Sequence, residues 1–323
     1  MILLNTFVKS ILKTVLPLLL GGILVWYSLQ KTPIETLIIY FKNVNYLWIG
    51  LGVFLGILSH ISRAYRWKFM IEPMGYTLRF PNSLMAVFSA YLINYTIPRA
   101  GEVSRATILT NYEGVPFEKG FGTIVAERVA DALVMFLIVI ITFFLEFDFI
   151  YNFLFADVNF KKQWLFLMLF VTILFGLYVL FKKGEHPLIL KLKAFFMGFL
   201  EGALSIFKMK KKWSFIAHTL FIWVMYVMMF YVTTFSLDAI SNLPFSAVLI
   251  GFIAAGFSIA LTNGGIGAYP LAIYAAFSIF GVAEAPSLAF GWIMWTSQTI
   301  MLVVLGGVSL ILLPFFNKFN PKH

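Results

Sequence analysis

The segment Ile97-Pro98-Arg99-Ala100-Gly101-Glu102-Val103-Ser104-Arg105 places two guanidinium groups and a carboxylate inside an otherwise apolar stretch, Ser83–Glu113. A charge at membrane depth costs several kcal/mol unless it is paired or hydrated. Pro98 stops one helix and Gly101 permits the turn. The free N–H groups of the helix that restarts near Glu102 then favour an anion at the break. Arginine adds a planar fork matched to phosphate and carboxylate. Arg99, Gly101, Glu102, Ser104 and Arg105 therefore form a candidate anion cradle. The competing reading is structural, with Glu102 and an aspartate elsewhere neutralising the two arginines.

A second polar island, Glu127-Arg128-Val129-Ala130-Asp131, lies in the next apolar run. Glu127 and Asp131 are four apart and Arg128 is three from Asp131, so all can meet on one helical face. The group suits an internal ion-pair girder, a counter-charge for Arg99 or Arg105, or a proton relay, with Asp131 the best-placed functional carboxylate. A third island, Thr262-Asn263-Gly264-Gly265-Ile266-Gly267-Ala268-Tyr269-Pro270, breaks the apolar stretch Phe245–Ala283. Asn263, Gly264, Gly265 and Gly267 can bring backbone N–H groups close to a ligand, and Pro270 suits the first turn of the next half-helix. Tyr91, Asn94, Tyr95 and Gln298 lie near the breaks and suit either cavity lining or interhelical hydrogen bonds.

The elements that position these residues are membrane helices. Of the 323 residues 61% are hydrophobic and only 12% charged, and the mean hydropathy is +0.92. A soluble domain carries roughly 25% charged residues, so a soluble enzyme, a nucleic-acid reader and a disordered tail are all excluded. The fold expected is an all-α polytopic membrane protein in one transmembrane domain over 1–323. A retained first helix is expected at about Val15–Leu29, and further full spans at about Tyr46–Ser62, Gly120–Leu145, Gln163–Phe181, Trp213–Ser236 and Pro286–Leu313, each of these five long enough to cross. The two broken stretches read as helical hairpins, since polar backbone at a break cannot face lipid. Pro187–Phe207 patterns as a helix lying along the cytoplasmic interface.

Loop charges orient this arrangement. With both termini cytoplasmic, only Lys31, Lys42, Lys161 and Lys162 fall outside, and Arg99, Arg105 and Arg128 fall within the membrane. The remaining Lys and Arg, including Arg63 and Arg66, go to the cytoplasmic side, as the positive-inside rule requires. The halves 1–145 and 146–323 then repeat one order of crossings with opposite direction, which predicts an inverted-topology repeat with a site between the hairpins. The net charge of +10 fits cytoplasmic loops against anionic headgroups rather than nucleic acid. The chain has no cysteine, and its four histidines lack ligand spacing, so neither a metal site nor a cofactor is expected.

Ile97 to Ala106, Ala126 to Asp131 and Gly264-Gly265-Ile266-Gly267, in that order, resemble the flippase-like family that includes the transmembrane region of lysylphosphatidylglycerol synthases, the multiple peptide resistance factors. The resemblance implies an inner-membrane protein that moves a polar lipid between leaflets. Two features depart from the family pattern. Thr262-Asn263 precede the glycines where proline is frequent, and Pro270 stands where an acid is expected. No aminoacyl-transferase domain accompanies the motifs, so transport rather than lipid synthesis is expected.

The expected function is a lipid flippase or related transporter of the plasma membrane, not an enzyme. It would hold a phosphate-bearing headgroup between the hairpins, with Glu102, Glu127, Arg128 and Asp131 balancing charge or coupling. No Gly-x-x-x-x-Gly-Lys-Ser/Thr nucleotide motif is present, so movement is passive or driven by an ion or proton gradient. The expected partners are the lipid substrate, anionic headgroups at the basic loops and a possible second copy of the chain. Two rivals remain: a membrane-embedded transferase using one of Glu102, Glu113, Glu127 or Asp131, and an accessory subunit of an envelope-building complex.

Overall fold

A computed structural model describes residues 19–147 and 209–319, with isolated positions at 17, 168, 172, 190, 193, 197 and 206. The expected span Gln163–Phe181 and the expected interfacial helix Pro187–Phe207 lie outside the described residues, apart from those isolated positions. All regular structure among the described residues is helical. α1 covers residues 19–31, α2 is Ile34–Asn43 and α3 is Tyr46–Ile71. α4 is Phe80–Thr96, α5 is Ala100–Glu113 and α6 is Phe117–Leu145. α7 is Lys212–Thr234, α8 is Phe245–Leu261, α9 is Ala268–Ser278 and α10 is Glu284–Phe319.

Four of these are long and apolar enough to cross a membrane: α3 with its terminal turn, α6, α7 and α10. The protein is thus a polytopic all-α membrane protein. Local chemistry sets the boundaries. The Asn45 side chain caps α3 by accepting from Leu47 N at 3.0 Å. Gly114, with φ 69°, ends α5 in the left-handed conformation that a C-terminal cap favours.

The chain divides into two compact units: residues up to Ile124 together with those from Lys210 onward, and Val125–Met209. The first unit centres on α10. α4 packs against α5 and α8 against α9, forming two helical hairpins, and α10 packs on both. A side chain at Gly306 would strike Leu92 and the Phe88 carbonyl of the first hairpin; one at Gly291 would strike Pro270 of the second. Small residues allow this close approach of backbones. α3 packs most extensively on α7, at Gly52 against Thr233 and Gly56 against Met229. The described helix of the second unit is α6 from Val125 onward, which carries the Glu127-Arg128-Asp131 island.

Two expectations need correction. α3 does not stop at Ser62: it runs to Ile71, and Arg63 and Arg66, assigned to a cytoplasmic loop by charge counting, are helical and buried. Arg66 donates to Thr219 Oγ1 at 2.6 Å and lies 5.0 Å from the Phe215 ring, so α7 supplies the polar and aromatic surroundings that water would have given. α2 was not foreseen. Its short amphipathic pattern follows Pro33 and buries Leu37, a signal hidden by its similarity to an interhelical loop.

Candidate functional site

The two breaks shrink to short linkers once folded. Only Ile97, Pro98 and Arg99 separate α4 from α5, and Thr262 to Gly267 separate α8 from α9. These tips, 168 residues apart, meet: Asn263 Nδ2 donates to the Tyr95 carbonyl at 3.1 Å. A Cβ on Gly264 would lie 2.9 Å from the Tyr95 ring. α10 joins both tips, since Trp295 Nε1 donates to the Gly264 carbonyl at 2.8 Å and Tyr95 Oη lies 3.2 Å from Thr299 Oγ1.

Position along α10 fixes where this happens. At 1.5 Å per residue the 36-residue helix is about 54 Å long. Trp295 and Thr299 lie about 17–23 Å from its start, close to mid-helix. Arg79 and Asn82, at the open end of the first hairpin, bond to Asn317 near the end of α10. The second hairpin leads directly into Glu284 at its beginning. The hairpins therefore approach from opposite ends of one helix and touch at its middle.

Within the first tip the expected residues take distinct places. Gly101 is packed so tightly under α4 that a Cβ would strike the Ala90 carbonyl, and its N–H donates to Asn94 Oδ1 at 2.7 Å. Asn94 thus occupies the first free donor of α5. The same side chain donates to Glu102 Oε2 at 3.4 Å, leaving Glu102 half-buried. Ser104 is half-buried on the same turn.

Arg99 caps α5 with φ 64° and ψ 6°, and is the one non-glycine residue with positive φ among the described residues. A non-glycine side chain in this region costs about 1–2 kcal/mol. Its side chain is exposed, and no hydrogen bond or ion pair with a described residue holds it. Arg105 behaves differently. It is 3% exposed and stacks 3.9 Å from the Trp67 ring centroid, while Trp67 donates to Thr123 Oγ1 at 2.8 Å. The two arginines expected to act as a pair are therefore one presented and one embedded in packing.

In the second tip Asn263, Gly265 and Gly267 are buried. Gly264, Gly265 and Gly267 all have positive φ, from 65° to 77°. A Cβ on Gly267 would also collide with the α1 backbone, 2.5 Å from Val25 N. On α6, Arg128 reaches Glu127 Oε1 at 3.4 Å and Asp131 Oδ2 at 3.9 Å. Glu127 and Asp131 are buried while the Arg128 side chain is 45% exposed, so this island forms the local ion-pair arrangement that its spacing allowed.

Glu113 entered the sequence reading only as a carboxylate of the rival transferase, and His60 escaped it. Glu113 is buried and receives Arg79 Nε at 2.9 Å and Asn82 Nδ2 at 2.6 Å. His60 is buried against Phe88, Tyr91 and Tyr226, one turn before Arg63. The sequence signal for the second was the run Ser59, His60, Arg63, Arg66 on one helical face. Among the described residues no cluster of His, Asp and Glu could hold a metal ion.

The sequence profile described as the lysylphosphatidylglycerol synthase TM region matches residues 14–307. A UPF0104 membrane protein of Methanocaldococcus jannaschii is 22% identical over 94% of this chain and 96% of its own length. A UPF0104 membrane protein of Methanothermobacter thermautotrophicus is 28% identical over 43% of this chain and 38% of its own. No solved structure matches. With a profile match over nearly all of its length, the chain belongs to the family of lysylphosphatidylglycerol synthase transmembrane regions.

Proposed function

We propose that this membrane protein carries a polar, phosphate-bearing lipid between the leaflets of the plasma membrane, with the headgroup passing the contact between the two hairpin tips. The observation that carries the reading is Arg99: a strained, exposed guanidinium without a protein partner among the described residues, at a break level with mid-helix α10. Strain of this kind persists only where surrounding structure imposes it, and it gathers at ligand sites. An arginine at that depth needs an anion or water, and a phosphate headgroup supplies the former.

In this reading Arg99 binds the phosphate and Glu102 and Ser104 face the same turn. Asn94 gives up Gly101 N–H as the headgroup arrives, and Asn263, Gly264, Gly265 and Gly267 form the opposing wall. Arg105 supports α5 through Trp67 rather than touching the lipid. Glu127, Arg128 and Asp131 hold internal charge balance on α6. The acyl chains stay in lipid, as the apolar exterior allows. The opposite entry of the hairpins supports an inverted repeat with alternating access, in a chain with both termini cytoplasmic and its basic loops against anionic headgroups. The protein acts as a carrier rather than an enzyme.

The test is reconstitution in vesicles holding phospholipid labelled on the headgroup, with an impermeant quencher added outside. The intact protein should make the inner-leaflet label accessible, and Arg99→Gln should abolish this while eluting as a folded species. Equal transport by Arg99→Gln would overturn the reading, and a covalently altered lipid recovered from the vesicles would point to a transferase instead.

A further inference from the structure

Each hairpin's open end is tied to one end of α10, and the two ties differ in construction. At the beginning of α10, Glu284 Oε2 pairs with Lys31 Nζ at 2.9 Å, joining it to the last residue of α1. Tyr274, on the second leg of the second hairpin, interacts with Glu284 electrostatically, and Lys31 lies 5.0 Å from its ring. Both charged side chains remain partly exposed, at 26% and 32%. Near the other end, Arg79 Nη2 donates to Asn317 Oδ1 at 2.7 Å and to the Tyr112 carbonyl at 2.9 Å. Asn82 and Asn317 exchange amide hydrogen bonds at 2.8 Å in both directions. Behind them the buried Glu113 carboxylate holds Arg79 and Asn82 together. About 50 Å of helix separates Glu284 from Asn317.

We infer that these are two gates: Lys31, Glu284 and Tyr274 close one face of the molecule, and Arg79, Asn82, Glu113 and Asn317 close the other, each released in turn while its opposite holds. The inference rests on the transport reading. With both ties formed and the tips in contact, the described conformation has neither gate released. Release at the Glu284 end removes the polar tie between the second hairpin's open end, α1 and the start of α10. Release at Asn317 unties the open end of the first hairpin from the end of α10 while the Arg79–Glu113 pair still clips its two legs together, so that end moves as one body.

The gates are also unequal. The Glu284 tie is one partly solvated ion pair with a phenol, and such pairs contribute little. The Asn317 tie is a cross-linked set of hydrogen bonds on a buried carboxylate, where every unmade bond leaves a desolvated group. The Glu284 end therefore opens first and more often.

The chain contains no cysteine, so a single introduced thiol is a silent-background reporter. Thr299 lies under the Tyr95 tip, and Thr299→Cys reports access to that level. In sealed vesicles of each orientation, an impermeant thiol reagent should label Thr299→Cys slowly from both faces. Adding Glu284→Gln should raise labelling about twofold to fivefold from the Glu284 face alone. Adding Asn317→Ala should raise it about tenfold from the opposite face alone. Lys31→Gln and Asn317→Ser provide second variants at each gate, and circular dichroism with size exclusion confirms folding. Labelling that rises from both faces together, from the same face in both variants, or in neither overturns the gates. Sided labelling without lipid movement would keep the gates and remove the transport reading, and lipid movement with unchanged labelling would do the reverse.

Discussion

Replacing Arg99 by glycine should stabilise the fold and destroy its activity, a combination that a structural arginine cannot give. Arg99 holds φ 64° and ψ 6° at the start of α5. Leaving that region is worth about 1–2 kcal/mol for a side chain with a Cβ, and glycine occupies it without strain. Glycine's greater freedom in the unfolded chain offsets roughly 0.5–1 kcal/mol, which leaves a net gain of about 0.5–1 kcal/mol. No described hydrogen bond or ion pair is lost in exchange. The same substitution removes a charge-assisted hydrogen bond to a phosphate, worth about 1.5–3 kcal/mol, so headgroup affinity should fall roughly 10- to 100-fold. Thermal unfolding in detergent measures the first quantity, and lipid titration by native mass spectrometry the second. A midpoint that drops in Arg99→Gly, or lipid binding that survives it, would refute the reasoning, because Arg99 would then be bound into the fold.

Other substitutions test the same architecture. Gly114→Ala meets only backbone strain, with no atom within 4 Å, and should cost about 1–2 kcal/mol. Gly267→Ala adds a collision with the α1 backbone to the same strain and should cost about 2–5 kcal/mol, so an equal or reversed order of unfolding midpoints would contradict the packing described. Glu113→Leu strands Arg79 and Asn82 at the open end of the first hairpin and should destabilise by about 3–5 kcal/mol, read as a large drop in the same midpoint. Trp67→Phe keeps a ring beneath Arg105 but loses the bond to Thr123, and should cost about 1 kcal/mol, whereas Trp67→Ala should cost about 3–5 kcal/mol.

Hydropathy and punctuation alone place most helices and both breaks, because each depends on residues adjacent in the chain. An apolar run of sufficient length must be helical in a membrane, and Pro98 or the Gly264 to Gly267 cluster must interrupt it wherever the helix is packed. The same local rules identified the island on α6, since Glu127, Arg128 and Asp131 are neighbours on one helix. Counting charges as loop markers failed at Arg63 and Arg66, because a basic residue past an apolar run looks the same whether water or another helix receives it. Only α7, some 150 residues away, decides that Arg66 meets Thr219 and Phe215.

The division of labour among the arginines was also tertiary. Arg99 and Arg105 have the same chemistry and sit six residues apart, yet one projects from a strained cap and the other stacks on Trp67 of another helix. The meeting of Tyr95 with Asn263, and of both tips with Trp295 and Thr299, joins segments whose proximity no local pattern encodes. Sequence by itself determined which segments are helical, where they break and which charges are too costly to leave in lipid. The fold decided which of those charges became packing and which was left exposed at a break, because burial and partners depend on what other helices bring, not on a residue's neighbours in the chain.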